Sequence, residues 1–308
     1  MSDLHVIFGT GPLGRFTAEA LLTQGHRVRL ISRAGTMKAA PAGAEVARAD
    51  ALNADQTGPL VKGATAVYQC AQPAYHRWAE EFPALQQAVL EAAAQAGAKL
   101  IVAENLYAYG NPQGQPMTES MPYNPCSKKG TVRAALSTTL FQAHSAGKVR
   151  VATVRGSDFW GPWEPIQSGM LFRAALDRKP VNLLGRLDQP HTFTYVKDFG
   201  RALAIAGTND RALGRAWHVP SGPPLTQQQV IDALSTTLGY PVKAQAAGKV
   251  LLTLLGLFNP SVKEVIEMLY EFTGPFIMDA TAMETTFGLK ATPLKVRIDE
   301  TLEWVKAQ

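Results

Sequence analysis

Residues 5–33, HVIFGTGPLGRFTAEALLTQGHRVRLISR, constrain this chain more than any other stretch. An apolar run, Val6-Ile7-Phe8, enters Gly9-Thr10-Gly11-Pro12-Leu13-Gly14. A helix-compatible segment follows, then a second apolar run that ends at Ser32-Arg33. This is the strand, glycine turn, helix and strand unit that accommodates a dinucleotide. Gly9 permits the tight turn, Gly11 lets the backbone approach a pyrophosphate, and Gly14 allows close packing of helix on strand. The helix N-terminus offers free N–H groups and a partial positive charge to the phosphates.

The end of the second strand refines the cofactor. A site for NAD(H) usually carries Asp or Glu about 20 residues after the glycines, bonded to the ribose 2′-hydroxyl. Here those positions are Ser32 and Arg33. An arginine can pair with a 2′-phosphate through two charge-assisted hydrogen bonds. The expectation is therefore NADP(H) in preference to NAD(H).

At 308 residues, 46% of them apolar and 18% charged, the chain can build a large core, and disorder is not expected. The net charge of +5 is spread without a long basic run, which suits an anionic cofactor and argues against nucleic acid. Two cysteines, Cys70 and Cys126, lie outside any paired pattern and point to a reducing, cytoplasmic setting. The six histidines and two cysteines show no metal spacing, so no metal site is expected. Met1-Ser2-Asp3 leads straight into the first strand, so no signal peptide is expected. The most apolar window, 250–258, is nine residues long, short of the ~20 that span a bilayer. It reads as a buried helix or the wall of a pocket in a soluble protein.

Strand-like runs at 5–8, 27–31, 45–48, 65–70, 99–103 and 149–155 alternate with helical segments near 12–24, 55–62, 77–97 and 128–147. Such alternation predicts an α/β fold of the Rossmann type, a doubly wound parallel sheet covered by helices. Beyond residue 155, loop signals such as Gly161-Pro162 and Gly222-Pro223-Pro224 loosen the pattern. Thr226 and Gln229 predict a capping box that opens a helix to Leu238. Helices are also expected over 261–272 and towards the C-terminus. The organisation expected is a dinucleotide-binding domain over 1–160. A smaller substrate-binding cap over 161–308 would be interleaved with the last strands of the sheet.

Further segments fall in a recognisable order. Asp50-Ala51-Leu52 follows the third strand and Tyr68-Gln69-Cys70-Ala71-Gln72-Pro73 the fourth. Leu106-Tyr107-Ala108-Tyr109-Gly110 follows the fifth. Val154-Arg155-Gly156-Ser157-Asp158-Phe159-Trp160-Gly161-Pro162 and His191-Thr192-Phe193-Thr194-Tyr195-Val196-Lys197-Asp198 come later. With the glycine turn they resemble the short-chain dehydrogenase/reductase superfamily, specifically its NAD-dependent epimerase/dehydratase branch. The resemblance implies adenine contacts at Asp50 and Ala51, and a cofactor edge at Ala71, Gln72 and Pro73. It also implies a C-terminal substrate subdomain.

The catalytic signature of that family departs here. Its Tyr-x-x-x-Lys pair aligns with Cys126 and Gly130, and its Ser or Thr with Asn105; lysines stand at 128 and 129 instead. Cys126 and Lys129 have a spacing that could share one helix face. The candidates for catalysis are Lys129, which could fix the cofactor and stabilise an alkoxide, with Tyr107 and Asn105 at the end of the fifth strand. Asn105 and Lys129 are also candidate cofactor contacts. Tyr107, Trp160, Trp163, His191 and Tyr195 are candidates to line a substrate pocket, and Arg155 to position a backbone turn.

The function expected is an NAD(P)-dependent oxidoreductase acting on a carbonyl or hydroxyl of a small molecule. Two alternatives stand beside it: a non-catalytic NADP(H)-binding redox sensor, and a sugar-nucleotide epimerase or dehydratase. Relatives often dimerise through long helices, here 77–97 and 128–147, so a homodimer is a possible assembly.

Overall fold

Val6 and Phe8 point to one face of their strand and Ile7 to the other, and all three are buried. A strand that is apolar on both faces must lie between two layers. The computed structural model, which describes residues 3–165, 167–248 and 264–308, places it in the interior of a seven-stranded sheet. In chain order the first elements are β1 (Leu4–Phe8), α1 (Pro12–Thr23), β2 (Arg27–Ser32), β3 (Ala44–Arg48), α2 (Ala54–Val61), β4 (Ala64–Gln69), α3 (Trp78–Gln95), β5 (Lys99–Glu104), α4 (Lys128–Ser145) and β6 (Arg150–Arg155). They are followed by β7 (Phe159–Trp160), α5 (Gln167–Leu176), β8 (Val181–Leu184), β9 (Pro190–His191), β10 (Thr194–Tyr195), α6 (Val196–Thr208) and β11 (Ala216–His218). The last are β12 (Leu225–Thr226), α7 (Gln227–Leu238), β13 (Ala244–Ala247), α8 (Thr281–Phe287) and α9 (Leu294–Lys306).

The strand order is β11-β6-β5-β4-β1-β2-β3, and every pairing in it is parallel. The carboxyl ends of all these strands therefore share one edge. The strand order reverses between β1 and β4, and ligands of such sheets bind at the carboxyl edge beside that point. One face of the sheet, through Ile7, Leu30, Tyr68, Ile101 and Val154, packs against α1 and α6. The other, through Val6, Phe8, Val67, Leu100 and Val102, packs against α3 and α4. The edge strand β3 is only half-buried, as its sequence AEVAR allows.

The six strands and four helices expected from alternation are all present within a few residues. The seventh strand, β11, comes from the region expected to interleave with the sheet, but no sequence signal marks its position. It has three residues, Ala216-Trp217-His218, too few to register as a periodic run, and it forms because β6 offers an open edge. A third apolar cluster joins Phe172, Val181, Ile231, Leu234, Ile298 and Leu302 from α5, β8, α7 and α9. Thr226 and Gln229 form the expected capping box at the start of α7. The apolar window 250–258 and the first residues of the 261–272 segment lie outside the described residues. From Glu264 onward that segment is a short helical turn ending in a 3-10 turn, Leu269–Phe272. No helix among the described residues is long and apolar enough to cross a membrane.

Candidate active site

The glycine turn has the shape a pyrophosphate needs. Gly9 has φ of +115°, and a Cβ there would fall 2.8 Å from the backbone nitrogen of Ala71. A Cβ on Gly14 would lie 2.0 Å from the carbonyl oxygen of Gly9. At Gly11 the same atom would meet nothing within 4 Å, so this position faces open space. Pro12 opens α1 directly behind it, and no side chain caps the helix, which leaves its first N–H groups free for a ligand. The residues present fit a dinucleotide. Thr10 and Leu13, also in the turn, are half-buried beside it.

Beside the turn lies a cavity of about 200 Å³ lined by Thr10, Gly11, Arg15, Lys38 and Trp163, among others. The Arg15 guanidinium sits 3.8 Å over the Trp163 ring and donates to the carbonyl oxygens of Lys38 and Ala39 at 2.5 and 2.7 Å. Trp163 thus stands against the glycine turn, not among the residues at the end of β5. Ser32 closes β2, its hydroxyl accepting from the Gly35 N–H at 3.1 Å, and Arg33 next to it is exposed. Asp50 is exposed in the turn after β3, its Oδ1 accepting from the Leu52 N–H at 3.0 Å, with Ala51 half-buried beside it. Ala71, Gln72 and Pro73 follow the carboxyl end of β4. The parallel sheet brings all of them to one edge.

Asn105 and Tyr107 follow β5 on that same edge. The Asn105 Oδ1 accepts from the Tyr107 N–H at 3.3 Å, which leaves its amide NH₂ to donate elsewhere. The Tyr107 hydroxyl lies 3.5 Å from that of Tyr75, and its ring packs against Trp78. Burial pushes its phenol well above the ordinary range, and the nearby Glu271 adds to the shift.

Helix α4 starts at Lys128, because the Ser127 hydroxyl caps it by accepting from the Gly130 N–H at 3.0 Å. Cys126 therefore precedes the helix and is exposed. The expectation that it shares a helix face with Lys129 is corrected by this cap. A Cβ at Gly130 would come 2.6 Å from the Tyr107 carbonyl oxygen, so this backbone has no room for a lysine there. Lys129 is buried and engaged: its ammonium pairs with Glu264, lies 3.0 Å from the Glu267 carboxylate, and sits 4.4 Å over the Tyr75 ring. One turn later, Arg133 is buried against Trp78 and Phe82, and desolvation lowers its pKa to about 10.

The fold adds three residues absent from the sequence-derived candidates: Asp158, Tyr270 and Glu271. His191 links them. Its Nε2 lies 3.0 Å from the Asp158 carboxylate, its Nδ1 is 3.1 Å from the Glu271 carbonyl oxygen, and its ring stacks on Phe272 at 4.8 Å. The Glu271 side chain is fully buried, and its Oε1 has no hydrogen-bond partner among the described residues. Burial, reinforced by Asp158 and Cys126, raises its carboxyl well above the usual carboxylate range. The Tyr270 hydroxyl is likewise buried without a hydrogen-bond partner among the described residues, and burial and Glu271 raise it. The signal in the sequence was an acid inside the apolar run Met268-Leu269-Tyr270-Glu271-Phe272.

Three other candidates serve the framework. Arg155 does not hold a backbone turn: its guanidinium pairs with buried Glu104 at 2.9 Å and donates to the hydroxyls of Tyr109, Tyr123 and Ser137. The reason is that β5 and β6 are neighbours in register, with Glu104 opposite Arg155. Trp160 is buried against Phe172 and Tyr195, at ring distances of 5.4 and 6.2 Å, and Tyr195 donates its hydroxyl to Glu300 of α9. Both are packed into the framework and do not line the cluster around Glu271.

The sequence model of the NAD dependent epimerase/dehydratase family matches residues 6–219. Among solved structures, the chain is similar to the UDP-glucuronic acid 4-epimerase from Bacillus cereus in complex with UDP-glucuronic acid and NAD. The TM-score is 0.79 at 17% identity, over 99% of both chains. It is similar to MoeE5 in complex with UDP-glucose and NAD, with a TM-score of 0.77, 21% identity and 99% of both chains covered. The epimerase Mth375 from Methanothermobacter thermautotrophicus superimposes with a TM-score of 0.82 at 13% identity, over 99% of this chain and 93% of the other. At these identities the structural likeness establishes the fold. No curated protein has a matching sequence.

Proposed function

The chain belongs to the NAD dependent epimerase/dehydratase family, a family of enzymes, and from that membership we propose an NAD(P)-dependent oxidoreductase of small hydroxyl or carbonyl compounds in which Glu271 handles the substrate proton. The observation that carries this reading is the pairing of an open pyrophosphate cradle at Gly11 with the buried Glu271 carboxyl, whose Oε1 has no hydrogen-bond partner among the described residues. It also fits the chain's departure from the family's Tyr-x-x-x-Lys pair.

The dinucleotide, when bound, supplies the acceptor or donor of a hydride. Gly9, Gly11 and Gly14, with the first N–H groups of α1, hold its pyrophosphate. NADP(H) is favoured because Ser32 and Arg33 stand where a carboxylate would read a free 2′-hydroxyl. Arg15 and Lys38 add cations to the neighbouring cavity. Thr10 and Leu13 flank the phosphates, Asp50 and Ala51 the adenine, and Ala71, Gln72 and Pro73 the ribose.

The Asn105 amide donates to the reacting oxygen of the substrate, and the Tyr107 ring bounds the space beside it. The Glu271 Oε1 takes up the hydroxyl proton during oxidation and returns it during reduction. Burial, which raises this carboxyl well above the usual carboxylate range, favours its holding a proton. Lys129, saturated by Glu264 and Glu267, acts as a positioning residue that ties the segment carrying Tyr270 and Glu271 to α4.

A second reading, sugar-nucleotide epimerisation, draws support from the near-complete overlap with the 4-epimerase fold. Both readings are tested by incubating the protein with each oxidised dinucleotide and either small alcohols or UDP-sugars, following nicotinamide absorbance and product NMR. Net reduction of the nicotinamide supports the oxidoreductase, and an epimer formed without net redox supports the second reading. Glu271→Gln should lower turnover by ~10²-fold or more while binding the dinucleotide as wild type does. Unchanged turnover would remove Glu271 from the mechanism.

A further inference from the structure

At the opposite end of the sheet, where β1 and β2 begin, a second polar cluster has no part in the chemistry above. Asp3, His5 and His26 each offer a ligand atom, and these atoms all lie within 4.8 Å of one another. The sheet register explains the meeting: Leu4 pairs with Arg27 and His5 with Val28, and the Arg27 N–H donates to the Asp3 carbonyl oxygen at 2.9 Å. Asp3 and His5, two residues apart, share a strand face, and His26 stands beside Asp3 in register. Sequence spacing alone could not reveal this, because the histidines are brought together across a helix and a turn.

We propose that Asp3, His5 and His26 form a binding site for a divalent transition-metal ion, a structural clamp at the amino-terminal edge of the sheet. The decisive residue is His5. Its side chain is buried at 1% exposure, its Nδ1 lies 2.8 Å from the Tyr68 hydroxyl, and its Nε2 has no hydrogen-bond partner among the described residues. A buried ring nitrogen without a partner is costly and requires an explanation. With Nδ1–H donating to Tyr68, Nε2 presents a lone pair, and an outer partner that fixes the tautomer is the usual companion of a metal-ligating histidine.

The ring centroids of His5 and His26 are 4.6 Å apart. Tetrahedral coordination at zinc distances needs ligand atoms about 3.4 Å apart. Asp3 is exposed and His26 half-buried, so both side chains can close the remaining gap. The nearby cation Lys99 opposes a metal ion, but Asp210 at 2.5 Å offsets its charge. Two imidazoles and a carboxylate suit zinc, cobalt or nickel better than calcium or magnesium.

The test is titration of chelator-treated protein with Co²⁺, read by visible absorption and by the rise in Tm. The expected result is one equivalent bound, with d–d bands and no thiolate charge-transfer band. His26→Ala should weaken binding more than 10-fold, and Tyr68→Phe by 10–100-fold through the lost outer partner. Circular dichroism of the half-exposed His26 variant confirms that it is folded. Binding that survives His26→Ala, a thiolate band abolished by Cys126→Ser, or no stoichiometric uptake would each overturn the site.

Discussion

The Lys129 ammonium stands 3.0 Å from the Glu267 carboxylate, joining two residues 138 positions apart in the chain. This contact, with the one to Glu264, fastens the segment leading to Tyr270 and Glu271 onto the start of α4. Lys129→Ala would leave two carboxylates facing each other beside a buried site. The carboxylates keep 33% and 24% of their exposure, so the cost should fall below that of a fully buried pair, at about 2 kcal/mol. Urea unfolding measures it. A loss under about 0.5 kcal/mol would mean that the contact holds nothing in place.

Gly11 and Gly14 separate binding from folding. Gly11→Ala adds a methyl group to open space at φ −72°, so Tm should stay within a few degrees. Dinucleotide affinity should nevertheless fall by about 10-fold or more, as the methyl group meets the pyrophosphate. Gly14→Ala drives the same group into the Gly9 carbonyl oxygen and should destabilise the fold itself. Thermal unfolding with and without NADPH distinguishes the two variants. Equal affinity in Gly11→Ala and wild type would remove the turn from the binding site.

Glu104 and Arg155, both buried, carry a network under the site. Removing either charge alone strands the other, at a cost of about 3–5 kcal/mol. Glu104→Gln should therefore lower the urea midpoint strongly. The paired change Glu104→Leu with Arg155→Met should cost less than the two single changes added together. Additive losses would show that the two groups do not act as a pair.

Acid should unfold the protein through two histidines. Burial lowers His218 to about 3 and His5 to about 4, from an ordinary 6.5. His218 is held neutral, its Nδ1 donating to the Asp279 carbonyl oxygen at 2.8 Å and its Nε2 accepting from the Tyr109 hydroxyl at 2.9 Å. Both folded-state values are depressed. Their contribution is complete above pH 6.5 and is lost as pH falls towards 4 and then 3. Urea midpoints between pH 7 and 4 should decline, and His218→Gln should flatten that slope by about one proton. A flat profile in the wild type would contradict the burial of both rings.

The sheet was legible because Val6, Phe8, Leu100 and Val151 belong to runs apolar on both faces, and the glycine turn because its spacing is dictated by backbone geometry. The chemistry was less legible. Lys129 reads as a free lysine until Glu264 and Glu267 arrive from a segment more than 130 residues away. Glu271 looks like one acid in an amphipathic stretch, and only the fold reveals that it is buried. Arg155 and Glu104 lie far apart in sequence but opposite each other in register. Contacts across strands and from distant segments have no local periodicity, and those are the contacts that build this site.

The most direct test is a fluorescence titration of the purified protein with NADPH, NADP⁺, NADH and NAD⁺, repeated on Arg33→Ala. Selective binding of the phosphorylated pair, lost in the variant, is the predicted result. Tighter binding of NADH and NAD⁺ would contradict the role given to Arg33. Binding of none of the four would contradict the dinucleotide site on which the proposed chemistry depends.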